Sequence, residues 1–506
     1  VNVSTLIVFL MFLGATLAIT AWASRRSSTR SDFYVAGGQI SGVQNGIAFA
    51  GDYMSAATLL GISGLYFTVG FDGFVYNLLG IVGWPVLLFL LAERLRVLGR
   101  FTLTDVLVWR LEHRSVRLFA GCANLTVLVF YMVSQMVGAG ALANLLLGLD
   151  YTTSTIVVGS LMTVYVIFGG MVATTWVQII KALLLLLAAA VLAILVLATF
   201  DFELSRIFAT AQENHPLGAA IMGPSSALGV GATISLTLTL MFGPAGLPHI
   251  MMRFFTVPNV QEARKSAAIA TAIVAGFSLM MIVIGYGTIA ILSGDPRYTD
   301  GPSSLIGGSN MASLYLADAL GGSVFLGIIS AVALATILAV VSGLTIAAAA
   351  TVSHDLVRAL FPRLEIDERR ELKLSRISVC AFAVTGIALS IVFRDQNITF
   401  LSVIAFSIAA SATFPVLMLS LFWKRLTVTG VLCGGFAGLI SAIVLLVLGP
   451  SVWEAVFGFT EPPFPYQYPT IVSMPLAFLV AIFTSMVTHQ GRFHLEPSAR
   501  SAQQGA

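Results

Sequence analysis

Apolar stretches of about 20 residues recur along this chain, parted by short polar connections, and each is long enough for an α-helix to cross a bilayer. Thirteen such stretches are read, at 3–22, 41–66, 74–92, 117–147, 152–172, 176–199, 227–247, 266–293, 322–350, 376–394, 398–422, 427–449 and 469–487. The remainder cannot build a soluble shell. Only 10% of the 506 residues are charged, against about 25% in a soluble domain. The sequence therefore predicts an all-α polytopic membrane protein.

The basic residues orient it. With the N-terminus outside, 23 of the 26 Lys and Arg fall in segments on the inner side, leaving only Arg206, Arg297 and Arg394 elsewhere. That bias predicts a multi-pass protein of the cell membrane with its C-terminus in the cytoplasm. The first stretch, Val3 to Trp22, has no basic residue before it and Arg25, Arg26 and Arg30 after it. This is the pattern of a retained helix, not a cleaved leader. Three scattered cysteines and six scattered histidines form neither a disulfide framework nor a metal cluster.

Two stretches are built to break. Residues 45–64, "NGIAFAGDYMSAATLLGISG", place Asp52 among glycines at 46, 51, 61 and 64. Residues 238–249 run "LTLMFGPAGLPH", with Gly243-Pro244-Ala245-Gly246 and Pro248. Proline removes a helical hydrogen bond and glycine weakens the helix. Backbone freed in this way must find protein, water or a ligand, because lipid cannot satisfy it. The two stretches lie five spans apart and run in opposite directions, as the first helices of two inverted five-helix repeats do. Such a pair points to a transport site at mid-membrane. Unwinding near residues 51–55 would free carbonyls for a cation. The amides around Ser55, Ala56, Ala57 and Thr58, and those near Leu247 to His249, would face an anion. Asp52 at membrane depth reads as functional.

Several stretches are similar to a known family. They are "SDFYVAGGQISGVQNGIAFAGDYMSAATLLGISG", "GWPVLLFLLAERLRVLGRFTLTDVLVWR", "GGMVATTWVQIIKALLLL", "GPAGLPHIMMRFFTVP" and "ILAVVSGLTIAAAATVSHDL". They resemble the sodium/solute symporter family and, within it, its cation/acetate (monocarboxylate) branch. The resemblance implies a leucine-transporter-like fold. Residues 1–40 would be an accessory helix and cytoplasmic linker, 41–199 the first inverted repeat and 200–226 an outer loop. Residues 227–423 would be the second repeat, 424–487 two accessory helices and 488–506 a cytoplasmic tail.

The resemblance also implies a sodium site. Its carbonyls map to Gly51, Met54 and Thr336, and its hydroxyl pair maps to Ala339 and Val340, which have no hydroxyl. A second departure stands in the stretch usually read "W-T-D-x-x-Q". Here it is Trp176-Val177-Gln178-Ile179-Ile180-Lys181, so Gln178 replaces the acid and Lys181 lies one turn on. The coupling ion is therefore expected to be Na+ or H+, with Asp52, Gln178 and Lys181 as coupling candidates.

By resemblance the substrate is acetate or a similar short monocarboxylate, propionate or pyruvate among them. Binding candidates are Ser55, Ala56, Thr58, Tyr131, Gln135, Gly243 and Gly246. No arginine is read inside an apolar stretch near them, which argues against a charge-paired dicarboxylate. His249 is expected to hold the second break in shape. The expected partners are the substrate, a monovalent cation and the bilayer, with no nucleic acid and no cofactor. A proton-coupled carrier of another small organic solute and an anion channel are the alternatives. A channel would want a ring-forming pore motif, which is not seen. An enzyme would want a nucleophile-base pair or a phosphate loop, and neither is found.

Overall fold

The computed structural model describes residues 40–98, 103–167, 171–224, 229–301, 303–361 and 368–488, with four isolated positions near the N-terminus. Apart from those four positions and residue 40, the expected first span and the linker after it lie outside the described residues, as does the tail from residue 489. Among the described residues, nine helices are long and apolar enough to cross a membrane. Large apolar side chains on their outer faces stay uncovered, among them Phe89, Leu187, Leu279, Val384, Leu479 and Phe483. A soluble monomer rarely leaves so much apolar surface bare, whereas lipid accepts it.

The two stretches with breaking residues are the discontinuous ones. The first begins at Gly42 behind a reciprocal cap. Ser41 Oγ accepts from the Gln44 amide at 3.3 Å, and the Ser41 amide donates to Gln44 Oε1 at 3.2 Å. The helix runs Gly42–Tyr53, stops where Met54 turns extended (φ −69°, ψ 101°), and restarts as Ala57–Val69 through a wide π-type turn. The second runs Val230–Phe242, tightens over Pro244–Gly246, turns extended at Leu247 and restarts as Pro248–Met251. Pro248 takes the first helical position, where its missing N–H costs nothing.

Around these, Gly42–Tyr53 lies against Val260–Leu292, and Met171–Thr199 packs on both Gly42–Tyr53 and the long helix Ala312–Ala350. Ile398–Ile408 packs on Arg114–Leu147, and Val428–Val447 pairs with Thr470–Thr488. The span expected at 322–350 starts at a kink: Gly322 (φ +65°) is non-helical and parts it from a shorter helical segment that begins at Ala312. Among the described residues there is one small antiparallel ladder, Thr299–Gly301 with Ser304–Leu305, in the connection before it.

Candidate functional site

The first break frees the Gly51 carbonyl. In a continuous helix it would accept the Ser55 amide. Here it accepts Nζ of Lys181, a side chain only 2% exposed. The reach is short because Gly51 has no side chain: a Cβ there would sit 2.6 Å from the Gln178 carbonyl. One turn earlier on the same helix, Gln178 Nε2 donates to the Ala339 carbonyl at 3.0 Å. Through these two donors Met171–Thr199 is tied on one side to the first broken helix and on the other to the helix that carries Thr336, Ala339 and Val340. The Thr336 hydroxyl and Gln178 Oε1 are buried without a hydrogen-bond partner.

Asp52 does not pair with Lys181. Its carboxylate takes Arg253 Nε, and Arg253 Nη1 donates to Thr175 Oγ1 at 2.8 Å. This corrects the sequence reading, which put Arg253 in an inner connection and found no arginine near the site. The chain after the second break stays helical through Met252–Phe255 and runs alongside the start of Gly42–Tyr53, so the Arg253 side chain reaches the first break. Its backbone is held there by Asn45 Nδ2 to the Arg253 carbonyl at 3.0 Å and Thr256 Oγ1 to Asn45 Oδ1 at 2.9 Å. A signal was present in the sequence: Arg253 is flanked by Met251, Met252, Phe254 and Phe255, which is poor company for a surface arginine.

A cavity of about 40 Å³ opens at the first break. Three of the expected substrate residues line it, Ser55, Thr58 and Tyr131; the rest of its wall includes Tyr53, Thr399, Ser402 and Phe406. Ser55 Oγ accepts from the Ala57 amide at 3.2 Å, so it caps the restarting helix, and it shares the cavity wall with Tyr131. Thr58 Oγ1 donates to the Ser55 carbonyl at 2.7 Å, and Thr399 Oγ1 donates to the Ala57 carbonyl at 2.8 Å. Hydroxyls, aromatic rings and a helix start therefore meet here, with no charged side chain in the wall.

Other expected residues lie elsewhere. Ala56 and Gln135 are buried beside the cavity's elements but outside its wall, and Gln135 Oε1 has no partner. Gly243 and Gly246 are contact glycines, where a Cβ would meet the Phe406 and Ala409 carbonyls at 2.7 and 2.6 Å. His249 lies with its ring 5.4 Å from that of Tyr131, and both its nitrogens are buried and unpartnered. Met54 is wholly buried at the break.

A larger hollow of about 300 Å³ lies toward the end of the bundle formed by residues 450–468. Tyr76 lines both spaces. Its hydroxyl donates to Gln467 Oε1 at 3.1 Å and meets Tyr468 Oη at 3.1 Å.

A multi-spanning bundle with two broken helices, a small cavity at the first break and lipid-facing flanks is a membrane transporter, not an enzyme. The chain belongs to the Sodium:solute symporter family, whose profile matches residues 33–438. Among solved structures it is similar to the substrate-bound, outward-open state of a Na+-coupled sialic acid symporter. Identity is 16% and the TM-score 0.74, over 96% of this chain and 98% of that one. It is also similar to a nucleobase-cation-symport-1 family transporter, in a closed conformation with bromovinylhydantoin bound. There identity is 15% and the TM-score 0.56, over 94% of this chain and 98% of that one.

Proposed function

We propose that this protein takes up a short-chain monocarboxylate, such as acetate, propionate or pyruvate, together with a monovalent cation, by alternating access. The observation that carries the reading is the wall of the cavity at the first break. The cavity is small, about 40 Å³, which suits a solute of a few heavy atoms. The donors on offer are the Ser55 and Tyr131 hydroxyls, beside the positive end of the restarting helix, which suit one carboxylate. The one guanidinium nearby is taken by Asp52, which leaves none for a second carboxylate.

In this reading residues 41–199 and 227–423 are the two inverted repeats, and residues 424–487 are accessory. The 450–468 end faces outward, so the larger hollow is an entry vestibule and Tyr76 stands between it and the substrate. The coupling cation is Na+ or H+, with family membership on the side of sodium.

The test is uptake of labelled acetate, propionate and pyruvate into proteoliposomes, with unlabelled succinate as competitor. Saturable uptake of at least one, unaffected by succinate, is the expected result. Failure of all three to enter, with none displacing another bound solute, would refute the assignment of substrate.

A further inference from the structure

The family's cation site, as mapped onto this chain, does not fit a sodium ion. Ala339 and Val340 bring no side-chain oxygen. The Gly51 carbonyl is occupied by the Lys181 ammonium, and the Ala339 carbonyl by the Gln178 amide at 3.0 Å. Two buried oxygens, Thr336 Oγ1 and Gln178 Oε1, lack partners, but a hard cation gives up its water only for several oxygens together.

Charge argues the same way. Lys181 lies within electrostatic range of Asp52, Arg253 and His249. Among the described residues, no other charged group lies near the middle of the helices packed on it, and Tyr53 beside Asp52 is neutral. Glu262, Arg264 and Lys265 sit at one end of Val260–Leu292, and Asp318 lies in the segment before the Gly322 bend of the long helix. Asp52 is committed to Arg253. A sodium ion arriving at Gly51 would meet an ammonium and a guanidinium with no free carboxylate to balance it.

We infer that the Lys181 ammonium is the resident cation of this site, tethered where the family places sodium, and that this chain transports its solute without binding sodium there. Lys181 is then a positioning residue. It holds the broken helix to Met171–Thr199 through the freed carbonyl, as a bound ion would, and must leave that carbonyl when the helices part. The inference deepens the cation-coupled reading above and rests on it only for uptake.

Two measurements on the purified full-length protein separate the cases. The first is equilibrium binding of radioactive sodium at millimolar concentration with no solute present, so its outcome does not depend on the substrate. Wild type is expected to show no saturable binding at this site; saturable binding that Thr336→Val together with Gln178→Leu abolishes would overturn the inference. The second is monocarboxylate uptake with choline replacing sodium on both sides, under an inward proton gradient. A rate within about tenfold of that in sodium is expected, and a larger fall would overturn the inference. If no monocarboxylate enters in either buffer, the substrate assignment fails while the sodium-binding result still decides this point. A rebuilt site, Lys181→Ala with Ala339→Ser and Val340→Ser, is expected to gain saturable sodium binding. A folded triple variant that gains none would count against the ammonium as the obstacle.

Discussion

Asp52 and Arg253, one from each broken helix region and 201 residues apart in the chain, form an ion pair in which both side chains are buried. Removing one member of such a pair strands the other, at about 3–5 kcal/mol, whereas removing both costs far less. Asp52→Asn and Arg253→Met are each expected to lower the thermal midpoint in detergent by several degrees, and the double variant to recover part of the loss. Simple addition of the two losses would show that the pair is not an energetic unit.

Ser55 holds the restarting helix and faces the cavity. Its replacement by alanine removes a hydroxyl from the neighbourhood of a carboxylate, worth about 1.5–3 kcal/mol. The half-saturation for uptake should therefore rise about tenfold or more. Loss of the cap costs about 1 kcal/mol of stability besides, so the protein should still insert and fold. An unchanged half-saturation for every short carboxylate tried would take Ser55 out of the binding site.

Gly246 gives a packing prediction with an internal control. Its Cβ would lie 2.6 Å from the Ala409 carbonyl, and backbone cannot yield as a flexible side chain can. Gly246→Ala should cost about 1–3 kcal/mol and depress turnover by disturbing the second break. Gly276 lies in Val260–Leu292, where an added Cβ would meet nothing within 4 Å. There the same change should leave uptake alone and add up to about 1 kcal/mol of helix stability. Equal behaviour of the two variants would contradict the tight contact at Gly246.

His215 provides a pH signature outside the membrane spans. Its Nδ1 accepts from the Leu217 amide at 3.2 Å and its Nε2 faces the Phe67 carbonyl at 3.2 Å, which suits the neutral ring. Burial pushes its pKa below the ordinary 6.5, with the Phe67 carbonyl opposing in part. The unfolded chain then binds more protons than the folded one, so this contribution is complete above pH 6.5 and is lost as pH falls through the lower folded value. The thermal midpoint should drop on acidification below neutrality, and His215→Gln should flatten part of that drop. A slope identical in the variant would remove His215 from the account.

The positions of both breaks were legible in the sequence because glycine and proline act locally. Gly51 to Ser55 and Gly243 to Pro248 carry their own reasons for leaving the helix. Ser55, Thr58 and Tyr131 were legible too, as polar groups at the break or on a helix passing it. Arg253 was missed for a different kind of reason. Counting basic residues assigns each to the nearest connection, and nothing local reveals that the Arg253 side chain reaches Asp52. The remaining cavity residues, Thr399, Ser402 and Phe406, come from a helix more than 300 residues away, and only packing brings them to Ser55. Lys181 falls between these cases: its oddity was visible, but its partner, a backbone carbonyl, has no signature in a sequence.

The distance along the chain between Asp52 and Arg253 bears on how the protein is made. The helix that carries Asp52 reaches the bilayer long before Arg253 has been synthesised, and the stabilising contacts from Arg253 and Thr256 to Asn45 come just as late. An unpaired aspartate at helix centre opposes insertion by about 2.5–3.5 kcal/mol. The N-terminal part of the chain therefore waits in the insertion machinery, or at its water-filled edge, until the later part arrives to complete it. Assembly of this transporter is not a procession of finished hairpins. The helix that carries Asp52 is translated well before Arg253 and settles only after it.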